Sequence, residues 1–113
     1  MTHYMNLVPS VYAKIEAGTK TIELRLNDEK RQKISVGDEI VFTNTEFEDK
    51  KLRTRVLALH HFPSFAELYK NLPTKKCGYA DGEAADPDDM LSYYPREKEL
   101  FYGALGIEIE LIK

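Results

Sequence analysis

The segment Gly18-Thr19-Lys20-Thr21-Ile22-Glu23-Leu24-Arg25 sets an amine, a carboxylate and a guanidinium close together. Glu23 and Arg25 stand two apart, so on a strand both side chains leave from one side, where they can pair or grip one ligand. Lys20 offers a compact ammonium that can bind phosphate, or act as a base if burial lowers its pKa. Gly18 reaches backbone conformations that a Cβ disfavours, so the chain can turn sharply and deliver Lys20 to the mouth of the strand. Each has a plainer alternative: a helix cap for Gly18, a solvated amine for Lys20, a surface ion pair for Glu23 and Arg25.

Two later segments carry further chemistry. Asp81-Gly82-Glu83-Ala84-Ala85-Asp86 holds three carboxylates before a helix start. Asp86 is accounted for as an N-cap, which leaves Glu83, and then Asp81, as candidates. Tyr93-Tyr94-Pro95-Arg96-Glu97-Lys98-Glu99 sets rings beside cations, so Tyr94 could stack a base while Lys98 neutralises a phosphate; tyrosines near a helix end also commonly serve a core. His60 and His61 project to opposite faces of a strand and cannot share a metal ion, so no metal or other cofactor is expected. Cys77 follows two lysines that could lower its pKa, but no histidine stands nearby to make it a nucleophile.

The elements that must position these groups follow from periodicity. Tyr4 to Val8 reads as a strand, and Pro9-Ser10 opens a helix that Gly18 closes. Ile22, Leu24 and Leu26 alternate with polar residues, the pattern of a half-buried strand with Glu23 and Arg25 on its other face. Asn27 to Lys33 reads as a loop, and Ser35-Val36-Gly37-Asp38 turns into a strand at Glu39 to Thr43. Leu52 to Phe62 alternates and then becomes continuously apolar at Val56-Leu57-Ala58-Leu59, as a strand entering an interior would. Ser64-Phe65-Ala66-Glu67 predicts a capping box for a helix that Pro73 stops. Asp86-Pro87-Asp88-Asp89 predicts another helix, reaching Ser92 to Tyr94. Leu105, Ile107, Ile109 and Leu111 define the last strand. Five strands interrupted by short helices predict an α+β fold on a small mixed β-barrel.

Composition bounds the rest. A chain of 113 residues fits one domain over 1–113, and 42% apolar with 31% charged residues suits a globular protein that folds alone. The start has neither a basic region nor a long apolar run, so neither export nor a membrane anchor is expected. One cysteine forms no internal disulfide, which suits a reducing cytosol. A net charge of -3 does not support non-specific polyanion binding; nucleic acid would need a local basic patch.

The stretch Gly18 to Arg25 resembles the G-x-K-x-x-E-x-R signature of the ASCH family. Val36-Gly37-Asp38-Glu39-Ile40 resembles that family's turn into its third strand, Asp81-Gly82-Glu83 its acidic loop, and Tyr102-Gly103-Ala104-Leu105-Gly106-Ile107 its last strand. The resemblance implies a PUA-like barrel with a cleft between barrel and helices, RNA binding, and hydrolytic activity in some members. Some small bacterial relatives act as amidohydrolases on acetylated cytidine through the signature lysine, a strand threonine and a loop glutamate. Here Glu23 holds the position of that threonine, and a carboxylate is not a hydroxyl nucleophile of the same kind.

Two readings remain open. In a binding module, Lys20 and Arg25 meet phosphate, Glu23 a base edge, and Tyr94 stacks. In a hydrolase of RNA or a modified nucleoside, Lys20 activates water or the leaving group, Glu83 is the general base, and Glu23 with Arg25 orients the substrate. Convergence of Lys20, Glu23 and Glu83 within hydrogen-bond reach, roughly 3 Å, around one pocket would support the hydrolase, and dispersal a binding surface or a structural role. The residues name no protein partner, and a solvated charged face remains the bland alternative.

Overall fold

The structure, a computed structural model, describes residues 1–112; Lys113, the end of the expected domain, lies outside them. The chain runs β1 (Thr2–Leu7), α1 (Pro9–Glu16), β2 (Ile22–Leu26), a 3-10 turn (Arg31–Lys33), β3 (Glu39–Asn44) and β4 (Lys51–Phe62). It continues through α2 (Phe65–Asn71), a 3-10 helix (Pro87–Ser92), α3 (Arg96–Tyr102) and β5 (Ala104–Leu111). The strands form one sheet in the order β1-β3-β4-β5-β2. β1 and β3 are parallel and the other pairs antiparallel, so the sheet is the expected mixed one, curled into a half-barrel with helices against it. Among the described residues, no helix is long and apolar enough to cross a membrane.

Local chemistry explains several boundaries. Pro9 occupies the first turn of α1, where its missing N–H costs nothing. Beyond α1 the Gly18 N–H bonds to the Ile15 carbonyl and the Thr19 N–H to the Lys14 carbonyl, with Gly18 at φ 80°, a left-handed cap that reverses the chain into β2. At α2 the Ser64 hydroxyl accepts from the Glu67 N–H at 3.2 Å. The reciprocal half of the capping box is not made, because the Glu67 carboxylate turns to Lys70 at 3.4 Å. A different first-turn donor, the Phe65 N–H, is met by Glu99, which reaches in from α3 and accepts it at 2.9 Å.

Four expectations are corrected. β1 begins and ends earlier than Tyr4 to Val8, since Val8 is the extended residue that precedes α1. The apolar run in β4 marks a bulge: the register with β5 shifts between Val56 and Ala58, and Leu57 faces outward, 43% exposed. The helix expected from Asp86 is a 3-10 segment, Pro87–Ser92, and a further helix not expected from the sequence, α3, follows it. The fourth correction concerns β2, which is buried on both faces.

Ile22, Leu24 and Leu26 do not face the main core. They pack with Phe65 and Leu68 of α2, Cys77 and Met90 in a second apolar cluster. The main core is built from β1, α1, β3 and the other side of β5, around Ile15, Ile40, Phe42, Leu105 and Ile107. Each such fully buried side chain contributes roughly 2 kcal/mol of transfer free energy. Glu23 pairs in register with Ile107 and Arg25 with Leu105. Cross-strand partners share a face, so the charged side of β2 points toward the main core.

Gly103 tests this packing. It sits at φ 80°, ψ 179°, a region open in practice to glycine alone, and a Cβ there would lie 2.7 Å from the Phe62 carbonyl oxygen. A Cβ at Gly18 would meet nothing within 4 Å. Urea titration should show Gly103→Ala losing more than about 2 kcal/mol, and Gly18→Ala only about 1 kcal/mol.

A pH effect follows from the turn into β3. The Asp38 carboxylate accepts from His3 Nε2 at 2.9 Å, the Ser35 N–H at 3.0 Å and the N-terminal amine at 3.4 Å. These bonds, the one to His3 foremost, lower its pKa from 3.8 to about 2. A depressed folded-state pKa gives stability that is complete above the unfolded value and lost as pH falls toward the folded one. Thermal melts between pH 4 and about 2 should therefore fall more steeply for the wild type than for Asp38→Asn.

Candidate functional site

β1 and β2 are the two edges of the sheet, and the half-barrel is open between them. A cleft of about 680 Å³ occupies this opening. Its walls come from the end of β1 and start of α1, from β2, from the loop at Cys77 to Glu83, and from the segment Asp88 to Tyr94.

Its floor is charged. The Glu23 carboxylate receives Arg25 Nε at 3.1 Å and Nη2 at 3.0 Å, and Lys20 Nζ lies 3.5 Å from its other oxygen. Lys20 and Glu23 are only 7% and 5% exposed. Buried charges persist when paired and hydrogen-bonded, and here one carboxylate serves two cations. This floor, taken by itself, keeps an excess positive charge that suits a ligand anion or carbonyl oxygen.

Arg25 also donates from Nη2 to the Asn6 carbonyl of β1 at 2.8 Å, which ties the two open edges together. Burial would lower the pKa of its guanidinium, but the Glu23 charge and the neighbouring Tyr94 outweigh that and raise it. Lys20 Nζ donates to the Cys77 carbonyl at 2.9 Å, leaving N–H capacity for the cleft. Gly78, at φ 106°, makes this approach possible: a Cβ there would stand 3.2 Å from Lys20 Cδ.

Four tyrosines, at 69, 79, 93 and 94, line the cleft. Tyr94 stacks on Phe65, centroids 6.1 Å apart and planes 12° apart. Burial raises its phenol pKa, with Arg25 and Arg31 acting the other way. The walls pair flat aromatic surface with a polar floor, an arrangement that can hold a planar heterocycle by stacking and read its edge.

Lys20, Glu23, Arg25, Tyr94 and Glu83 thus line one cleft. Glu83 is exposed on the outer wall, and its Oε1 accepts from the Ala80 N–H at 2.8 Å rather than meeting Lys20. Gly18 does not line this cleft but a second, smaller depression, which Lys20 and Thr21 also border. Lys98 is exposed on α3, away from the cleft lining. Asp81 is exposed, 3.4 Å from Lys75, and Asp86 caps the 3-10 helix by accepting from the Asp88 N–H. Cys77 is buried, and its thiol is pushed up to about 11 by burial, Lys20 opposing only in part, so the flanking lysines do not activate it. His60 pairs with Glu108 at 3.1 Å, and His61 is exposed.

Sequence reasoning missed Lys14, whose amine binds the Gly78 carbonyl at 2.9 Å, and the hydrogen-bonded side chains Tyr69, Tyr79 and Asp89. No spacing signals them, because their meeting depends on how the 77–83 loop folds over the end of α2.

Residues 5–113 match the ASCH domain. No curated protein matches the chain. Among solved structures, the crystal structure of hypothetical protein PH0355 is 30% identical, with a TM-score of 0.82 over 99% of this chain and 100% of that one. A solution structure of a protein from Pyrococcus furiosus is also 30% identical, with a TM-score of 0.71 over 100% and 99% of the two chains. A variant of the Zymomonas mobilis ASCH protein, 13% identical, shares the fold with a TM-score of 0.64 over 96% of this chain and 67% of that one. Signature, half-barrel and a match along nearly the whole length agree: this chain belongs to the ASCH domain family.

Proposed function

We propose that the cleft takes one unstacked nucleoside unit, presented by single-stranded RNA or free in the cytosol. The observation that carries this reading is the buried Lys20-Glu23-Arg25 floor beneath walls of tyrosine. An aromatic wall supplies stacking that every base can use, and the floor supplies donors for a carbonyl or phosphate oxygen. Glu83, Asp88 and Asp89 on the walls would repel a long polyanion, which favours a single unit over an extended strand. The ASCH family is generally linked to RNA binding, and this cleft is where that property would reside.

Titration with nucleosides and short single-stranded RNAs, followed by tyrosine fluorescence, tests the reading. A nucleoside and a trinucleotide should bind within about tenfold of each other, with a salt slope of no more than about one released ion. Lys20→Met keeps the buried stem and the Glu23–Arg25 pair, and should weaken binding about tenfold or more. Equal affinity in the variant, or binding confined to long RNA with a steep salt slope, would sink the proposal.

One observation favours hydrolysis as a second reading: Lys20 and Glu23 meet at 3.5 Å, with Glu83 on the wall of the same cleft. For an acylated nucleoside, Lys20 would polarise the acyl oxygen and Glu83, released from Ala80, would take a proton from the attacking water. The C–N bond then breaks, and that proton passes to the leaving amine. Mass spectrometry should then find acid and free nucleoside, with turnover falling at least about a hundredfold in Glu83→Gln while binding persists. Turnover undiminished in that variant removes Glu83 from the mechanism.

A further inference from the structure

Three side chains of the cleft walls form a hydrogen-bonded chain. Tyr69 Oη lies 3.1 Å from Tyr79 Oη, and Tyr79 Oη lies 3.2 Å from an oxygen of Asp89. The two rings meet edge to face, 5.5 Å apart at 90°, which holds the hydroxyls together. All three residues line the cleft.

The direction of this chain is fixed at one end. A carboxylate offers only lone pairs, so the bond to Asp89 uses the Tyr79 proton. The Tyr79 oxygen is then left to accept, and the bond between the tyrosines uses the Tyr69 proton. Tyr69 therefore has no proton left for a ligand. Its oxygen keeps a lone pair, and among the described residues no protein donor other than the chain itself reaches it. Burial, and then the bond to Tyr79, push the Tyr69 phenol far above its ordinary range, and burial also raises Tyr79 against the effect of that bond. Both stay protonated through neutral pH, and the direction of the chain persists.

We propose that Tyr69 determines specificity in this cleft: its oxygen, held as an acceptor by Tyr79 and Asp89, receives an N–H of the bound base. This rests on reading the cleft as a nucleoside site. Lys20 on the floor is the opposing donor, so the cleft matches a base that offers an acceptor to Lys20 and an exocyclic amino or ring N–H to Tyr69. A base stripped of that N–H leaves the Tyr69 oxygen desolvated and unpaired, which lowers affinity about tenfold or more. Tyr79 and Asp89 are positioning residues that act through Tyr69.

The test titrates two matched pairs, cytidine against N4,N4-dimethylcytidine and uridine against 3-methyluridine, into the wild type, Tyr69→Phe and Asp89→Asn. Melting temperatures are followed alongside. The wild type should prefer the unmethylated member of at least one pair by about tenfold or more, and the discriminating pair tells whether an amino or a ring N–H is read. Tyr69→Phe should bring that ratio close to one. Asp89→Asn, whose amide can donate back along the chain, should narrow the ratio without a matching fall in melting temperature, a result that a merely structural role would not produce. A ratio that survives Tyr69→Phe marks simple steric exclusion and overturns the inference. A wild type that binds both members of each pair equally also overturns it, and leaves the nucleoside reading standing. A wild type that binds no nucleoside overturns both.

Discussion

Arg25 spans the place where the sheet does not close. Paired strands lie about 4.8 Å apart, and β1 and β2 do not approach in that way. An arginine reaches farther than a backbone bond, so its guanidinium joins the Asn6 carbonyl on one edge to Glu23 on the other and leaves a gap wide enough for a ligand. The cleft is this unclosed seam. Its polar floor is the part of the molecule that substitutes for missing backbone pairing.

That substitution imposes conditions on everything around it. A guanidinium removed from water needs a carboxylate, and Glu23 supplies it from the same face of the same strand. The start of β2 is held by the neighbouring loop, where the Thr21 and Ile22 N–H groups both bond to the Lys76 carbonyl at 2.9 and 3.0 Å. The same loop receives Lys20 at Cys77 and Lys14 at Gly78. Two amines thus hold successive carbonyls of one turn, and Gly78 lets the turn come close enough. Removing either partner of a buried ion pair costs about 3–5 kcal/mol, so the site and the fold are held by the same side chains.

The two apolar clusters make the seam rigid. One backs Glu23 and Arg25 from the barrel side, and the other fills the opposite face of β2 against α2. A ligand entering the cleft therefore meets a floor whose geometry is set in advance, which lowers the ordering cost of binding. Of the wall tyrosines, Tyr69 is held on α2, whereas Tyr79 and Tyr93 belong to more exposed segments, the loop after α2 and the turn after the 3-10 helix, where adjustment to different ligands is cheaper.

Much of this was legible in the residues. Alternation at Ile22 to Leu26 and Leu105 to Leu111 identified two strands, Gly18 and Pro9 bounded α1, and the spacing of Lys20, Glu23 and Arg25 brought a charged cluster to one segment. Periodicity states which side chains share a face, but not what that face meets. Alternation on β2 read as one wet face and one dry one, yet both are buried, because the apolar side is covered by α2 and the charged side faces the barrel. The bulge at Leu57, the helix after Pro95 and the Tyr69-Tyr79-Asp89 chain were hidden for a related reason. Each depends on contacts between residues distant in sequence or on a register with a neighbouring strand, and neither leaves a local pattern. The local chemistry of the chain determined its elements and its charged signature; the curvature of the sheet decided that the signature would be buried and that its opening would be walled by tyrosine.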